Sequence, residues 1–421
     1  MLDIAIVGGG AAGYYAAIQL ALQNPQLKVA LIERGALGLD KVKVSGGGRC
    51  NVTHHALEPA HLVTHYPRGE KALLGPFHHH GPQEVISFFE SHGVPLKIEE
   101  DGRMFPVANT SAAIIDCFVA LRQELGIALN AKTSLQSLQQ NPDQSWSLET
   151  TKGPIQAQQI LLATGSNPKV IDLIAGLGIG IEKAVPSLFT FNSKDLRIQG
   201  LAGLSTQAKL RLALPGIKEK KSLWATGPLL VTHWGLSGPA ILKLSAWGAR
   251  LLEGLDYQFQ IVINFLPALN TDMALEQLYA YKKKFPKKRV LSSYGLDLPK
   301  RLWHSLVVYC DIPEEQAWAH MTKEQLVSLA MQLTQAVFNI QGKSTFKEEF
   351  VTAGGVKLSE VSFKDCQSKK FPGLYFAGEL LNIDAITGGF NFQNAWTTAY
   401  LAAQGMAARA SSLKDKAEGL L

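Results

Sequence analysis

The sequence predicts an α/β fold in which a Rossmann-like parallel sheet is interrupted by a long insert. Three observations carry this prediction: a glycine turn between a strand and a helix at residues 8–13, two later strands that end on glycine, and a long stretch between those strands without such a turn. Strands that alternate with helices and end on glycine turns are typical of dinucleotide-binding sheets. A length of 421 residues is enough for two or three domains.

The composition is that of a globular protein and excludes several other classes. Hydrophobic residues make up 46% of the chain and charged residues 18%, which favours a large buried core over disorder. The net charge of +6 is small for this length and does not by itself predict a nucleic-acid or membrane partner. The four cysteines are widely separated, so we expect no disulfide scaffold, no zinc ribbon and a reducing, cytoplasmic location.

The first element is a β-α-β unit with the G-x-G-x-x-G pattern. A strand, a helix and a second strand follow one another over residues 2–32, and the second strand ends on Glu33. In this pattern Gly8 allows a tight turn, Gly10 lets a pyrophosphate approach the backbone, and Gly13 lets the helix pack on the strand. Glu33 could accept hydrogen bonds from both hydroxyls of an adenosine ribose. The unit therefore predicts a bound dinucleotide, which is either FAD or NAD.

Two later strands favour FAD. The first ends in Ala163-Thr164-Gly165 and the second in Gly378-Glu379. Two-dinucleotide-binding flavoproteins carry the first pattern beside the FAD pyrophosphate, and the acid of the second holds a ribityl hydroxyl. A glycine turn over residues 387–394 and a helix over 395–411 follow. The positive end of that helix would face the flavin edge that gains negative charge on reduction, so FAD is the predicted cofactor.

A glycine-rich loop over residues 41–53 completes the predicted site. Disulfide reductases carry a similar glycine-cysteine run, whose second redox cysteine lies five residues on, but here that place is His55. Cys50 alone cannot form the redox dithiol of those enzymes, so disulfide-reductase activity is excluded. The loop offers a cation, Arg49, and two hydrogen-bonding side chains, Ser45 and Asn51. These groups suit a flavin edge or a pyrophosphate.

These segments resemble the BaiN/YhiN-type flavoproteins, which are bacterial FAD-dependent oxidoreductases. The resemblance covers nearly the whole chain, and its most specific segments are Ser-Gly-Gly-Gly-Arg-Cys-Asn at 45–51 and Gly-Gly-Phe-Asn-Phe-Gln at 388–393. It implies an FAD domain that is divided by an insert with a β-barrel and a small helical subdomain. The predicted ranges are 1–187 and 348–421 for the FAD domain, 188–268 and 336–347 for the barrel, and 269–335 for the helical subdomain.

The periodicity of the insert agrees with this division. Strand-like alternation is followed by helical patterns, with strands predicted over 208–214 and 259–265 and helices over 273–285, 300–309 and 322–334. Thr322 and Gln325 form a capping-box pattern at the start of the last helix.

The residues predicted to contact FAD come from all of these segments. They are Gly8, Gly10, Ala11, Ala12, Gly13, Glu33, Arg34, Ser45, Gly46, Gly47, Arg49, Cys50, Asn51, Leu135, Ala163, Thr164, Gly165, Gly378, Glu379, Gly388, Gly389, Asn391 and Phe392. No metal site is predicted. The run His78–His80 has no carboxylate or cysteine at ligand spacing and is interpreted as a surface loop.

Two side chains are predicted to act on the substrate. His233 precedes a Gly-Leu-Ser-Gly-Pro segment of the insert and is a candidate acid/base or substrate anchor, with a structural histidine as the alternative. Arg103 stands in an apolar turn and could bind a substrate carboxylate or keto oxygen, with a structural ion pair as the alternative.

The predicted function is an FAD-dependent oxidoreductase that moves two electrons between the flavin and a small organic substrate, with NAD(P)H as a transient donor. The segment 176–180 lacks the third glycine of a second dinucleotide turn, so no NAD(P) domain is expected. One alternative is an amine-type oxidase that uses O₂, and another is a flavin-containing RNA- or protein-binding factor. The run Lys282–Arg289 holds six cations and is interpreted as a solvated helix end, with an RNA-facing patch as the alternative.

Overall fold

The chain forms two compact units, which a computed structural model describes over residues 1–213, 222–344 and 351–418. The first unit comprises Met1–Val185 and Lys347–Leu421, and the second comprises Pro186–Phe346. The end of the strand predicted at 208–214 and the boundary predicted between 347 and 348 lie outside the described residues. The predicted barrel and helical ranges remain proposals about folding units.

Helices and strands follow one another along the described residues, with several runs of consecutive strands. Up to the insert they are β1 (Leu2–Val7), α1 (Ala11–Gln23), β2 (Val29–Ile32), α2 (Asp40–Gly48), β3 (Thr53–His54), α3 (Pro59–Leu62), α4 (Glu70–His79), α5 (Pro82–Ser91), β4 (Leu96–Ile98), β5 (Arg103–Pro106), α6 (Ala112–Glu124), β6 (Ala128–Asn130), β7 (Leu135–Gln140), β8 (Trp146–Thr150), β9 (Gly153–Leu162), α7 (Pro168–Gly176) and β10 (Ile181–Ser187). In the insert they are β11 (Thr190–Asn192), β12 (Ser205–Ala213), β13 (Trp224–Val231), β14 (Gly235–Ser237), α8 (Pro239–Gly254), β15 (Gln258–Asn264), α9 (Thr271–Lys284), α10 (Lys300–Tyr309), α11 (Lys323–Thr334), β16 (Ala336–Gln341) and β17 (Lys343–Ser344). After it come β18 (Val351–Val356), β19 (Val361–Ser362), β20 (Gln367–Ser368), β21 (Leu374–Phe376) and α12 (Phe390–Glu418).

A Rossmann-like parallel sheet forms the centre of the first unit. β1 pairs with β2 on one side and β9 on the other, and β6 and β21 extend this parallel core. Along β1, Ile4 and Ile6 enter one hydrophobic core, and Ala5 and Val7 enter a second. The strand is buried on both faces because helices cover both sides of a parallel sheet.

Helix α12 begins at Phe390, five residues before the predicted start at 395. Two left-handed glycines, Gly388 (φ 140°) and Gly389 (φ 91°), set the turn before it, and no proline or glycine follows until residue 405. The helix packs on α1, where the rings of Tyr15 and Trp396 lie 5.3 Å apart between centroids. The glycine turn therefore leads directly into a buried helix.

The antiparallel sheet of the second unit closes into a barrel. Its strand order is β16-β15-β12-β13-β14-β11-β17. Gly342 alone separates the two outermost strands, β16 and β17, and its φ of 106° lets the chain bend there. The two ends of the sheet meet just after β11, where the Asn192 N–H donates to the Gly342 carbonyl at 3.0 Å and the Ser193 hydroxyl donates to the Asn339 carbonyl of β16 at 2.9 Å. The barrel and the helices α8 to α11 share one hydrophobic core.

Helix α11 begins with the predicted capping box. The Thr322 hydroxyl accepts a hydrogen bond from the Gln325 N–H at 3.2 Å, and the Gln325 side chain accepts one from the Thr322 N–H at 3.1 Å. Two orphan donors of the first turn are satisfied in this way.

The interpretation of His78–His80 as a surface loop is wrong in two respects, because the first two histidines lie in a helix and the last one is buried. His78 and His79 end helix α4 and are exposed, whereas the His80 side chain is buried. Its Nε2 lies 2.9 Å from the Tyr15 hydroxyl, and its ring stacks on Tyr400 at 4.0 Å between centroids. Burial lowers the pKa of His80 to about 3, so the ring is neutral near pH 7.

No helix among the described residues has both the length and the apolar character that a bilayer crossing requires.

Candidate cofactor site

The turn between β1 and α1 is too close-packed for side chains at two of its glycines. A Cβ on Gly13 would lie 1.9 Å from the Gly8 carbonyl oxygen, and a Cβ on Gly8 would lie 2.5 Å from the Ala163 carbonyl oxygen. Gly10 differs, since a Cβ there would meet no atom within 4 Å. No side chain caps the helix at Gly10, and its first turn holds no acid. The chain is therefore open beside Gly10, and the uncapped N-terminus of α1 suits a pyrophosphate.

Glu33 is held in place by backbone N–H groups. One carboxylate oxygen accepts from Gly9 at 2.7 Å and the other from Gly35 at 2.6 Å, and the residue is only 9% exposed. The segment after β6 supports it, because the Thr133 N–H donates to the Glu33 carbonyl at 2.8 Å. The carboxylate is thus fixed at the end of β2, where a ribose would bind in a Rossmann fold.

Two further members of the predicted set lie near Glu33 in the chain or the fold. Leu135 is buried at the start of β7, two residues after Thr133. Arg34 is exposed next to Glu33, and its side chain points to solvent.

The Ala-Thr-Gly strand end and the Gly-Glu strand end meet at the same edge of the sheet. A Cβ on Gly165 would lie 3.4 Å from a Glu379 carboxylate oxygen. A Cβ on Gly378 would lie 3.2 Å from the Ala12 Cβ, at the start of α1. The structure therefore brings together three motifs that are up to 371 positions apart in the sequence.

Glu379 has a partner that the sequence patterns did not indicate. Lys41 Nζ, at the start of α2, lies 2.5 Å from its carboxylate. Later in the same segment, Gly46 and Gly47 interrupt α2 with left-handed φ values of 57° and 68°. The glycine-rich loop predicted over residues 41–53 is therefore helical only at its start.

The end of this loop is joined to the turn before α12. The Asn51 amide, oriented to satisfy its hydrogen bonds, donates to the Thr53 carbonyl and accepts from the Gly389 N–H, both at 3.0 Å. A Cβ on Gly389 would lie 2.5 Å from the Thr53 carbonyl oxygen. The close approach of the backbone to β3 thus explains why residue 389 is a glycine. The hydrogen bond from its N–H to Asn51 holds the turn against β3.

Two buried polar atoms in the site have no hydrogen-bond partner among the described residues. They are Thr164 Oγ1, beside the β1–α1 turn, and Asn394 Oδ1, in the first turns of α12. Buried polar groups in native proteins are normally satisfied by protein, water or ligand. The open turn at Gly10, the fixed Glu33 carboxylate and these two atoms together fit a bound dinucleotide such as FAD.

Three predicted contact residues use their side chains within the protein. The Asn391 amide donates to the Ala385 carbonyl and accepts from the Ala385 N–H. The Phe392 ring stacks on Trp396 at 5.5 Å between centroids. Cys50 is fully buried, and burial raises the pKa of its thiol to about 12. Cofactor contacts from Asn391 and Cys50 would therefore come from the backbone, and Cys50 is not a reactive thiolate near pH 7.

The two arginines predicted for this region share one acid. Glu99 accepts from Arg49 at 2.7 Å and from Arg103 at 3.1 Å, and Arg103 also pairs with Asp101 at 2.7 Å. Both guanidinium groups lie over the Phe105 ring. The ion-pair alternative for Arg103 is thus present in the structure, and a substrate role for it stays a prediction.

His233 lies in the second unit, between β13 and β14, and is exposed. It lines a cavity of about 350 Å³ together with Ser193, Gln199 and Thr232. The Thr232 hydroxyl is buried there without a partner among the described residues. The catalytic role of His233 stays a prediction.

Sequence patterns also missed the residues behind the α12 turn. Arg68 forms a bidentate ion pair with Asp384, whose side chain is fully buried. The rings of His54 and His65 pack on Phe390, at 4.6 and 4.2 Å between centroids. No motif marks these residues, because each pair joins positions hundreds of residues apart or lies in an irregular segment.

Two glycine substitutions separate packing from cofactor binding. We expect Gly13→Ala to lower the free energy of unfolding by about 1–3 kcal/mol or more, because the new methyl would overlap the Gly8 carbonyl. Gly10→Ala should leave the stability of the cofactor-free protein within about 0.5 kcal/mol of the original, since its methyl meets open space, yet weaken FAD binding. Urea unfolding and FAD titration of both variants measure this, and equal FAD affinity of Gly10→Ala and the parent would contradict it.

Comparison with known proteins places this chain in a family. The HI0933-like protein Rossmann domain family matches residues 2–405. The chain is 27% identical to the ribosomal RNA dihydrouridine synthase of Escherichia coli, over 97% of this chain and 99% of that protein. It is 26% identical to the 3-dehydro-bile acid delta(4,6)-reductase of Clostridium scindens, over 97% of this chain and 100% of that protein.

A solved structure shares the fold. The 3-ketosteroid-delta4-(5alpha)-dehydrogenase of Rhodococcus jostii superposes with a TM-score of 0.51 at 13% identity, over 96% of each chain. The predicted flavoprotein family, fold class and FAD cofactor are confirmed. The chain belongs to the HI0933-like Rossmann family and is an FAD-dependent oxidoreductase.

Proposed function

We propose that the protein is a reductase that takes two electrons from NAD(P)H and saturates a carbon–carbon double bond conjugated with a carbonyl group. The names of the two relatives described above support this reaction. Dihydrouridine is uridine with a saturated ring double bond, and a delta(4,6)-reductase acts on ring double bonds. The observation that carries the proposal is that two proteins similar over nearly their whole length share this one chemical change.

Different residues of the chain would hold different parts of the cofactor. When bound, FAD would supply the two-electron chemistry. Glu33 would accept hydrogen bonds from the ribose, and the free N–H groups of α1 would bind the pyrophosphate. The N-terminus of α12, which follows Gly389, would place partial positive charge near the flavin ring. Asn51 keeps that helix start in position through its bond to the Gly389 N–H.

NAD(P)H is the proposed donor. The segment 176–180 of the first unit is the end of α7 and the turn after it, and it does not form a second glycine turn of the β1–α1 kind. The nicotinamide would therefore bind only transiently, deliver its hydride and leave. The acceptor would then take that hydride and a proton.

The first candidate substrate is a small organic enone. A second candidate is a uracil base within RNA, and the charge distribution favours it. Residues 186–346 contain 19 Lys and Arg against 11 Asp and Glu, a net charge of +8, whereas the rest of the chain contains 22 against 24, a net charge of −2. A basic unit joined to a near-neutral one is typical of proteins that bind a phosphate backbone.

Anaerobic titration of the FAD-loaded protein tests the reaction. NADPH or NADH should bleach the flavin spectrum, and addition of an enone or of unmodified ribosomal RNA should restore it. Mass spectrometry should show a gain of two hydrogens in the acceptor. Reoxidation of photoreduced protein by O₂ within milliseconds would instead indicate an oxidase. A flavin that neither nicotinamide reduces would contradict the proposal.

A further inference from the structure

The segment Lys282–Arg289, here the basic segment, concentrates the positive charge of the second unit. It begins in the last turn of α9 and continues through Phe285 and Pro286. Five of its cations are exposed, and Lys282 is half-buried. A helix C-terminus favours cations, which accounts for Lys282–Lys284. It does not account for the three cations that follow the helix.

The charges of the basic segment are mostly not neutralised. Among the described residues, Arg289 forms an ion pair with Glu315. Lys282 donates to the Met321 carbonyl at 2.6 Å, and Lys284 and Lys288 lie over the Phe285 ring. None of these contacts removes a charge. Like charges held together oppose folding, so the arrangement gives the fold no stability of its own.

The backbone presents these cations in a fixed arrangement. The Lys288 carbonyl accepts from the Trp318 N–H at 2.9 Å, and the Pro286 carbonyl accepts from the Ala319 N–H at 2.8 Å. The Val290 N–H donates to the Gln316 carbonyl at 2.9 Å. Trp318 is fully buried in the core of the unit. The basic segment is thus anchored at several points along its length.

An aromatic ring stands among the cations. Phe285 is half-buried and packs on Tyr281 at 4.7 Å between centroids, with Lys288 Nζ 4.4 Å from its centroid. Cations that track a phosphate backbone, combined with an aromatic face for an unpaired base, form a common surface for structured or single-stranded RNA.

We propose that the basic segment is the surface on which the second unit binds the phosphate backbone of an RNA substrate. This inference rests on the RNA form of the proposed function. Lys283, Lys287 and Lys288 would contact phosphates, and Phe285 would lie against a base. The contacts raise the concentration of RNA at the enzyme and leave the reduction of a small acceptor unchanged.

The test is the salt dependence of RNA binding by the FAD-loaded full-length protein. The triple variant Lys283→Ala, Lys287→Ala, Lys288→Ala is compared with a control, Lys71→Ala, Lys169→Ala, Lys364→Ala, which removes three exposed lysines from the first unit. The ligand is unmodified ribosomal RNA made by transcription. Losing three phosphate contacts should reduce the slope of log K against log salt by about 2–3 and weaken binding roughly 50–150-fold at about 150 mM salt. The control should match the parent protein.

The other possible results show whether the RNA-binding surface or the proposed reaction is wrong. Equal slopes for the parent and both variants would overturn the docking surface, whether or not the enzyme reduces RNA. Binding to vesicles with anionic lipids, without binding to RNA, would overturn it as well. A slope that depends on the basic segment in a protein that reduces no uridine would support the surface and contradict the proposed reaction. Flavin reduction by NADPH, measured in all three proteins, shows that each is intact.

Discussion

A protein with Glu33→Ala and Glu379→Ala should purify without FAD and bind added FAD at least about 100-fold more weakly than the parent. The two carboxylates stand at separate points of the proposed cofactor path, Glu33 at the end of β2 and Glu379 after β21. Hydrogen bonds to charged groups contribute about 1.5–3 kcal/mol each, so loss of the ribose contacts alone corresponds to this factor. Flavin absorbance of the purified protein and FAD titration by fluorescence quenching measure the effect.

The controls separate loss of the ligand contacts from loss of the fold. Glu90→Ala removes an exposed acid from helix α5 of the same unit and should keep full FAD. Glu33→Gln retains an acceptor for one of the two N–H groups of Gly9 and Gly35, so it should fall between the parent and the double variant. A doubly altered protein that still carries a full complement of FAD would show that the proposed contacts are wrong.

Asp384→Leu should lower the free energy of unfolding of the first unit by about 3–5 kcal/mol. The Asp384 side chain is fully buried, and Arg68, its bidentate partner, is 15% exposed. Removing the carboxylate leaves a guanidinium in a poorly solvated position without its counter-charge. The segment from Asp384 to Gly389 leads into α12, so FAD binding should weaken as well. Urea unfolding followed by circular dichroism measures the stability.

Two further variants serve as controls for Asp384→Leu, one at the same buried ion pair and one at an exposed ion pair. The double variant Arg68→Leu, Asp384→Leu removes both charges and should recover most of the lost stability. Glu315→Ala breaks the Arg289–Glu315 pair, in which both side chains are more than half exposed, and should change stability by less than about 1 kcal/mol. If Asp384→Leu were as mild as Glu315→Ala, the buried pair would not be what holds this segment.

The sequence was sufficient to predict the parts of the site that depend on the backbone. Gly8 and Gly13 follow a fixed spacing because the β1–α1 turn permits no Cβ at either position. Glu33 follows a strand whose end always lies beside that turn in a Rossmann fold. Such features are local, so a pattern of 20 or 30 residues contains all the information that they need.

Side-chain partners were not predictable in the same way. Lys41 with Glu379 and Arg68 with Asp384 join positions more than 300 residues apart, and no spacing rule links them. Asn391 and Phe392 are predicted at the flavin by their motif, but the motif does not indicate that their side chains also contact Ala385 and Trp396. His80 is predicted to lie in a surface loop because its run has no carboxylate or cysteine at ligand spacing, whereas its side chain, just after the end of α4, is buried against Tyr15. These outcomes depend on how elements pack, which the sequence pattern of one element does not contain.

The contact between Ala12 and Gly378 has a consequence for synthesis on the ribosome. The nascent chain makes its first glycine turn early, but the strand and helix that lie against it emerge only after the whole intervening insert. At about 5–20 residues per second, roughly 20–70 s pass between these events. The face of α1 that α12 covers stays open to water during that time, while the second unit can already fold. Capture of FAD would therefore be one of the last steps in the maturation of this protein.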